Sequence, residues 1–398
     1  MSAWPTAPLR EVVDYPVARV VPEAAPERPF TYIDISAVDA ERKEIVAART
    51  MLGSEAPSRA RQQVLPADVI VSTTRPNLNA VAKVPPELTG AIASTGFAVL
   101  RPRAGLDADY LLHWTRSPGF VAAVAAMVKG ALYPAVTDRQ VLDLMIPLPP
   151  LGEQRRIAAR LRDQLAEVDH LRVVAGDARS SLGALEREAH AIFEKEEWSD
   201  KARPLGDVAA VVRGVTFRAG DTRRTTSRGT LPILRAGNIG TVLNLTSDLL
   251  WVDTRLVAAW QLLRVGDIAV CMSSGSASVV GKSAPLIEPF AGSVGAFCAI
   301  VRHGPQVDPA FLAGFMRSPA FWSWRGRSAQ GVGIQNLKVT GLSELPVPLP
   351  PLDEQRHIAA RLHEQLAEID RAKAALESQR TAIRALPAAL LREIFGPA

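Results

Sequence analysis

IPLPPLGEQRRIAARLRDQLAEVD, residues 146–169, returns as VPLPPLDEQRHIAARLHEQLAEID, residues 347–370. Aligned without gaps, 18 of 24 positions agree, and Pro147 pairs with Pro348 at an offset of 201. The chain is therefore an internal duplication. Pro149-Pro150 and Pro350-Pro351 bar helix up to that point. Beyond them apolar residues recur in steps of three and four, or their sum of seven: Ile157, Leu161, Leu165, Val168 and Leu171 in one copy, Ile358, Leu362, Leu366, Ile369 and Leu376 in the other. That stripe predicts an amphipathic helix after each Pro-Pro pair. Each runs roughly 40 residues, about 60 Å at 1.5 Å per residue. A helix so long with one apolar stripe needs a partner. The two copies are the obvious partners for each other, as an antiparallel pair; the alternative is that each packs on its own globular half. Pro387 falls inside the second helix, where it is expected to kink or shorten it.

Weaker matches extend upstream. Arg116-Ser117-Pro118 and Phe120 keep their identities at Arg317-Ser318-Pro319 and Phe321, and Ala98-Val99-Leu100-Arg101 faces Ala299-Ile300-Val301-Arg302. At an offset of 199, Asp68-Val69-Ile70-Val71 faces Asp267-Ile268-Ala269-Val270, and Lys83 faces Lys282. Between these anchors the halves diverge, as a shared framework carrying two different surfaces would. Regions 1–150 and 198–350 read as mixed α/β. Strands are predicted at Asp68–Val71, Phe97–Arg101, Leu231–Arg235, Asp267–Met272 and Ala296–Arg302. One helix is predicted at Asp107–Phe120 and its counterpart at Asp308–Trp324. The stretch Trp198–Pro204 breaks the first long helix and links the halves.

At 398 residues each half can bury its own core, and 47% hydrophobic with 22% charged residues fits a soluble globular chain. The net charge of +5 favours an anionic partner, weakly. Cys271 and Cys298 lie in apolar runs and read as buried core thiols. With no disulfide framework, a reducing cytoplasm fits. Met1–Val13 has no apolar signal core, and the longest apolar stretch, Phe120–Val136, is too short to span a bilayer.

The Pro-Leu-Pro-Pro-Leu-x-Glu-Gln-Arg-x-Ile-Ala run heading a long helix, found twice, resembles the specificity subunits of Type I restriction–modification enzymes. So do Gly266-Asp267-Ile268 leading into Ser273-Ser274-Gly275-Ser276, and Gly331-Val332-Gly333-Ile334-Gln335-Asn336-Leu337. The resemblance covers the whole chain. It implies two target-recognition domains, 1–150 and 198–350, in a pseudo-two-fold repeat, separated by two long antiparallel coiled-coil helices, 151–197 and 351–398. It implies a non-catalytic chain that reads a bipartite double-stranded DNA target, one half-site per domain, with the helix pair setting the gap and docking two modification subunits. S-adenosylmethionine would sit on those partners. ATP and Mg would sit on restriction subunits, in complexes that also cut. The first domain departs from the pattern: Ser72-Thr73-Thr74-Arg75-Pro76-Asn77 replaces the Ser/Gly loop, and Gly130-Ala131-Leu132-Tyr133-Pro134-Ala135 replaces the Gln-Asn segment. The two halves should therefore read different bases.

Binding DNA takes cations for phosphate and side chains that reach base edges. Arg213, Arg218, Arg223, Arg224 and Arg228 fall within sixteen residues against one acid, Asp221, among glycines. Arginine suits guanine or phosphate, although a solvated basic loop would look the same. Asn238 either pairs with adenine or caps a turn. Ser273, Ser274 and Ser276 lie on a loop whose N–H groups suit phosphate, and Lys282 follows. Thr73, Thr74, Arg75, Asn77, Asn79 and Lys83 occupy the equivalent loop. Gln335, Asn336 and Lys338 complete the candidates. On the helices, Ile157, Leu161, Leu165, Ile358, Leu362 and Leu366 are assigned to helix pairing and partner docking. Glu153 and Glu354 complement the helix dipoles.

Catalytic signatures are missing. No Asn/Asp-Pro-Pro-aromatic motif holds a flipped base, no Gly-x-x-x-x-Gly-Lys loop cradles a nucleotide, and the six histidines show no metal-ligand spacing. The rival readings are a coiled-coil scaffold whose halves bind proteins, which predicts no salt-dependent DNA binding, and an enzyme with an unrecognised site, which predicts activity from the isolated chain.

Overall fold

The computed structural model describes residues 4–128, 134–194, 198, 201–328 and 335–396. The chain forms two compact units, Met1–Gly176 with Ser378–Ala398, and Asp177–Glu377. Each contains a mixed α/β body together with stretches of both long helices.

In the first unit an antiparallel sheet runs in the order Val13–Asp14, Phe97–Pro102, Val69–Ser72, Val81–Lys83. Successive side chains point to opposite faces. Val69, Val71, Ala98 and Leu100 enter one core, shared with the helices Ala108–Thr115 and Pro118–Ala126 and the start of the first long helix. Ile70, Phe97 and Val99 enter a second core. That core lies against a sheet of Arg49–Leu52, Pro29–Ile33, Ile92–Ser94 and Ala60–Gln63, with Pro29–Ile33 and Ile92–Ser94 parallel.

The second unit repeats the plan. Its first sheet is Ala209–Arg213, Cys298–His303, Ile268–Cys271, Ser283–Pro285. Ile268, Val270, Ala299 and Val301 fill one core, and Ala269, Cys271, Cys298 and Ile300 the other. A second sheet, Leu250–Asp253, Thr230–Leu234 and Ser293–Val294, again holds a parallel pair. Cys271 faces Cys298 across the ladder, and both thiols are buried and free.

The mixed α/β class of the two halves is borne out, and all five predicted strands form within a residue or two of their expected ends. The single helix expected at Asp107–Phe120 is instead two, Ala108–Thr115 and Pro118–Ala126. Likewise Asp308–Trp324 divides into Pro309–Phe315 and Pro319–Ser328. The cause is the Ser-Pro step. Ser117 and Ser318 are buried, and each hydroxyl accepts the N–H of a following phenylalanine (Phe120 at 3.2 Å, Phe321 at 3.4 Å), capping a fresh helix with proline at its first position.

The long helices are Leu151–His190, 40 residues, and Leu352–Phe395, 44 residues. Pro387 lies inside the second without ending it. Both packing alternatives hold at once. Ile157 and Leu161 sit in the first unit's own core, with Leu391 from the other helix. Ile358 and Leu362 sit in the second unit's core, beside Phe193 and Phe311. Helix–helix contacts accompany them: Arg160 to Glu393 at 2.9 Å in the first unit, and Lys373 to Glu186 at 2.6 Å with Arg179 to Glu377 at 3.8 Å in the second. As one number rises the other falls, so the helices of the second unit run antiparallel. The four residues Ile157, Leu161, Ile358 and Leu362 are at most 5% exposed, which removes them from any partner-docking surface; Leu165 is buried and Leu366 half-buried.

The repeated Glu-Gln-Arg also has a structural reason. Gln154 and Gln355 are each 1% exposed. Gln154 accepts from the Asp107 N–H at 2.9 Å and donates to the carbonyls of Gly105 at 3.0 Å and Pro149 at 2.9 Å. Gln355 accepts from Asp308 N–H at 2.8 Å and donates to Gln306 at 3.2 Å and Pro350 at 2.8 Å. Asp107 and Asp308 are the N-caps of the next helices. One buried amide thus ties the head of each long helix to the body it follows. Glu153 forms an exposed pair with Arg156 at 2.7 Å.

Candidate nucleic-acid interface

The second half's candidates fall in separate clusters along the chain, and the fold joins two of them. Ser273–Ser274 and Gln335–Asn336 form a two-stranded antiparallel ladder, Ser273 opposite Asn336 and Ser274 opposite Gln335. Leu337 N–H donates to Met272 O at 2.8 Å and is buried, anchoring the ladder to the central sheet. Ser276, Lys282, Asn336 and Lys338 are exposed around it. Ser274 Oγ accepts the Ser276 N–H at 3.2 Å, which shapes the loop. The preceding glycine segment, Gly331–Ile334, lies outside the described residues.

All five arginines, Arg213, Arg218, Arg223, Arg224 and Arg228, are exposed. The loop is fixed, not slack: Arg223 and Trp251 exchange two backbone hydrogen bonds of 2.9 Å. Asp221 is spent on its own turn, accepting the Arg218 N–H at 2.8 Å. Arg223 donates to Ser227 Oγ at 3.2 Å. Four guanidinium groups on an ordered, solvent-facing loop, with Arg213 at the end of the strand that leads into it, make a phosphate-binding surface in chemical terms. Asn238 leaves the set. It is 1% exposed; its Oδ1 accepts from Arg235 N–H at 2.9 Å, and its Nδ2 donates to Ser247 O at 2.9 Å and Asn244 O at 3.3 Å. Burial and turn chemistry hold the side chain away from solvent.

The first unit places its loop in the same way with a reduced ladder. Thr74 forms a single bridge with Ala135, and the Arg75 N–H donates to Pro134 O at 2.8 Å. Proline at 134 has no N–H, so the second rung of an antiparallel ladder cannot form. The loop compensates with left-handed residues at Arg75 and Asn79, both at φ 48°. Arg75 and Asn77 are exposed, and Thr74 and Asn79 half-buried. One candidate, Thr73, is corrected. Thr73 is buried, and its hydroxyl donates to Gly96 O at 2.9 Å. Lys83 is held in an ion pair with Asp109. The stretch Gly130–Tyr133 lies outside the described residues.

Two features escaped the sequence reading. Lys43 donates to the carbonyl of Asn79 at 2.5 Å, bracing the loop. Burial, then the charge of Arg116, brings its amine down to about 8. The other is a buried two-toothed ion pair repeated in both units. Arg101 grips Asp68 through two 2.8 Å bonds, and Arg302 grips Asp267 through bonds of 2.9 and 2.6 Å. Both carboxylates are 1% exposed. The signal was present, since acid and arginine recur together in both copies, but the pairs span 33 and 35 residues. Among the described residues no cluster of His, Cys, Asp and Glu is arranged to hold a metal ion. Nor is any helix there long and apolar enough to cross a membrane.

Comparison with known proteins matches residues 195–379 to the Type I restriction modification DNA specificity domain. The Type I restriction enzyme StySPI specificity subunit of Salmonella potsdam is 37% identical over 182 residues, which are 46% of this chain and 39% of that protein. The EcoKI specificity subunit of Escherichia coli strain K12 is 37% identical over 174 residues, 44% of this chain and 38% of that protein. The chain thus spans about two fifths of the length of these curated relatives. Likeness in three dimensions is broader. A chain from a structural study of complex assembly and conformational transition of the type I R-M system superimposes with a TM-score of 0.85 at 29% identity, covering 99% of this chain and 98% of that one. The HsdS subunit of Thermoanaerobacter tengcongensis gives 0.69 at 29% identity, covering 100% and 97%.

Proposed function

We propose that this chain, a relative of the DNA specificity subunits of Type I restriction–modification enzymes in sequence and in fold, is itself the sequence-reading subunit of such an enzyme. It binds double-stranded DNA, reads a bipartite target with one half-site per unit, and makes or breaks no bond. The carrying observation is the pair of loops after the central strands Val69–Ser72 and Ile268–Cys271. Each unit ties its loop to the same downstream segment, Thr74 to Ala135 and Ser273 to Asn336, yet arms it with different side chains. A framework that is kept while its contact residues change is what two different half-sites require.

In this reading the long helices set the gap between half-sites, and their charged outer faces dock two modification subunits. Those subunits hold S-adenosylmethionine and methylate adenine. Restriction subunits, where present, supply ATP- and Mg-dependent translocation and cleavage. The test compares genomic methylation in cells carrying the modification subunit with and without this chain. A split adenine motif that disappears with the chain is the expected result. An unchanged methylome would overturn the reading.

A further inference from the structure

We propose that Phe297 is a base-reading residue of the second unit, making apolar contact with a thymine methyl group of its half-site; this rests on the DNA-reading function above. Phe297 is 70% exposed, although the strand before it and the first four residues of the strand after it are buried. A single exposed apolar side chain needs no explanation by itself. Its position supplies one. The Phe297 carbonyl accepts the N–H groups of Met272 at 2.8 Å and Ser273 at 3.1 Å, so the residue's backbone adjoins the Ser273–Asn336 rung. On the other side, Gly214 N–H donates to Cys298 O at 3.0 Å, which ties in the start of the arginine loop. The turn carrying Phe297 is therefore bonded to the start of both polar clusters.

The turn is rigid. Cys298 N–H returns to Gly295 O at 2.8 Å, Gly295 N–H donates to Leu234 O at 2.9 Å, and Val215 N–H to Val294 O at 2.8 Å. An exposed ring on a pinned turn, tied through the backbone to Ser273 and to the residue after Arg213, complements a base edge bearing both polar groups and a methyl. Thymine in the major groove presents that combination. The first unit has no side chain there. Gly96 stands at the equivalent place, its carbonyl accepting the N–H and the hydroxyl of Thr73, both at 2.9 Å. The aromatic contact is thus a source of difference between the half-sites.

The test uses the full chain with its modification subunits and duplexes carrying the mapped target. Each thymine of the second half-site is replaced in turn by uracil, which lacks only the methyl. One position is expected to weaken wild-type binding about fourfold, the weight of one buried methyl. The Phe297→Ala variant should bind the thymine duplex several-fold more weakly and be indifferent to uracil at that position, with the first half-site unchanged in its methylome. Phe297→Leu should restore part of the sensitivity. If Phe297→Ala keeps wild-type affinity and the same uracil sensitivity, the inference fails while the DNA-reading function stands. If the wild-type complex shows no sequence preference, both fail.

Discussion

Gln154 and Gln355 show how one side chain can explain a motif. Each satisfies one backbone N–H and two carbonyls in the interior. An aliphatic replacement of similar length strands all three, and an orphaned buried group costs about 1–3 kcal/mol. Gln154→Leu is expected to destabilise the first unit by at least that much. Hydrogen exchange should speed up at the head of the helix Ala108–Thr115, while residues 309–315 keep wild-type protection. Equal loosening of both segments would refute a local role. His113 supplies a pH test at the same scale. Burial first, then the Arg116 charge, lowers its imidazole from 6.5 to about 4. The unfolded chain therefore takes up this proton before the folded one. Stability is full above the ordinary imidazole range and falls as pH drops from about 6.5 toward about 4. The second unit has Gly314 at this position, packed so closely that a Cβ would lie 2.7 Å from Leu362. Acid should thus loosen the first unit ahead of the second, as read by exchange at pH 5. His113→Met should remove the difference.

At the scale of elements, burial and charge make very unequal claims on the long helices. Leu161 is 0% exposed and Leu362 4%, and truncating a buried leucine costs about 2–5 kcal/mol. The exposed pair of Arg160 with Glu393 belongs to a class worth about 0–1 kcal/mol. Leu161→Ala should lower the melting midpoint of the first unit well below wild type, whereas Arg160→Gln should leave it within a degree or two; a reversed order would show that ion pairing dominates. The same contrast explains what was legible in the sequence. The long helices and four central strands were readable because burial imposes a period: three-to-four steps on the helices, unbroken apolar runs in strands covered on both faces. The outer strands Pro29–Ile33, Arg49–Leu52 and Ala60–Gln63 were missed because one face meets solvent and their polar residues hide the pattern. The Ser-Pro helix break was visible as a repeated motif, but its capping role needs coordinates. In the candidate site, the clusters around Arg213–Arg228 and Ser273–Ser276 could be read from composition. Their link through Phe297 could not, because it depends on a backbone bond from Ser273 to a carbonyl far along the chain.

Across the whole molecule the net charge is only +5, so electrostatic attraction to DNA has to be local. The arginine loop concentrates it on the second unit. If Arg218, Arg223, Arg224 and Arg228 neutralise phosphates, each releases a counterion, and the slope of log K against log salt should flatten by about 0.9 per arginine replaced with glutamine. The methylation motif should keep its letters, because phosphate contacts position the protein without reading sequence. Base-reading arginines would behave in the opposite way, relaxing one or two positions of the second half-site with a smaller change in slope. Both outcomes leave the first half-site alone, since each unit carries its own cores and its own glutamine staple. Replacing residues 1–150 with their counterpart from a relative is the reciprocal experiment. It should exchange the first half-site of the motif and preserve the second. A change in both halves would mean that the units do not read independently.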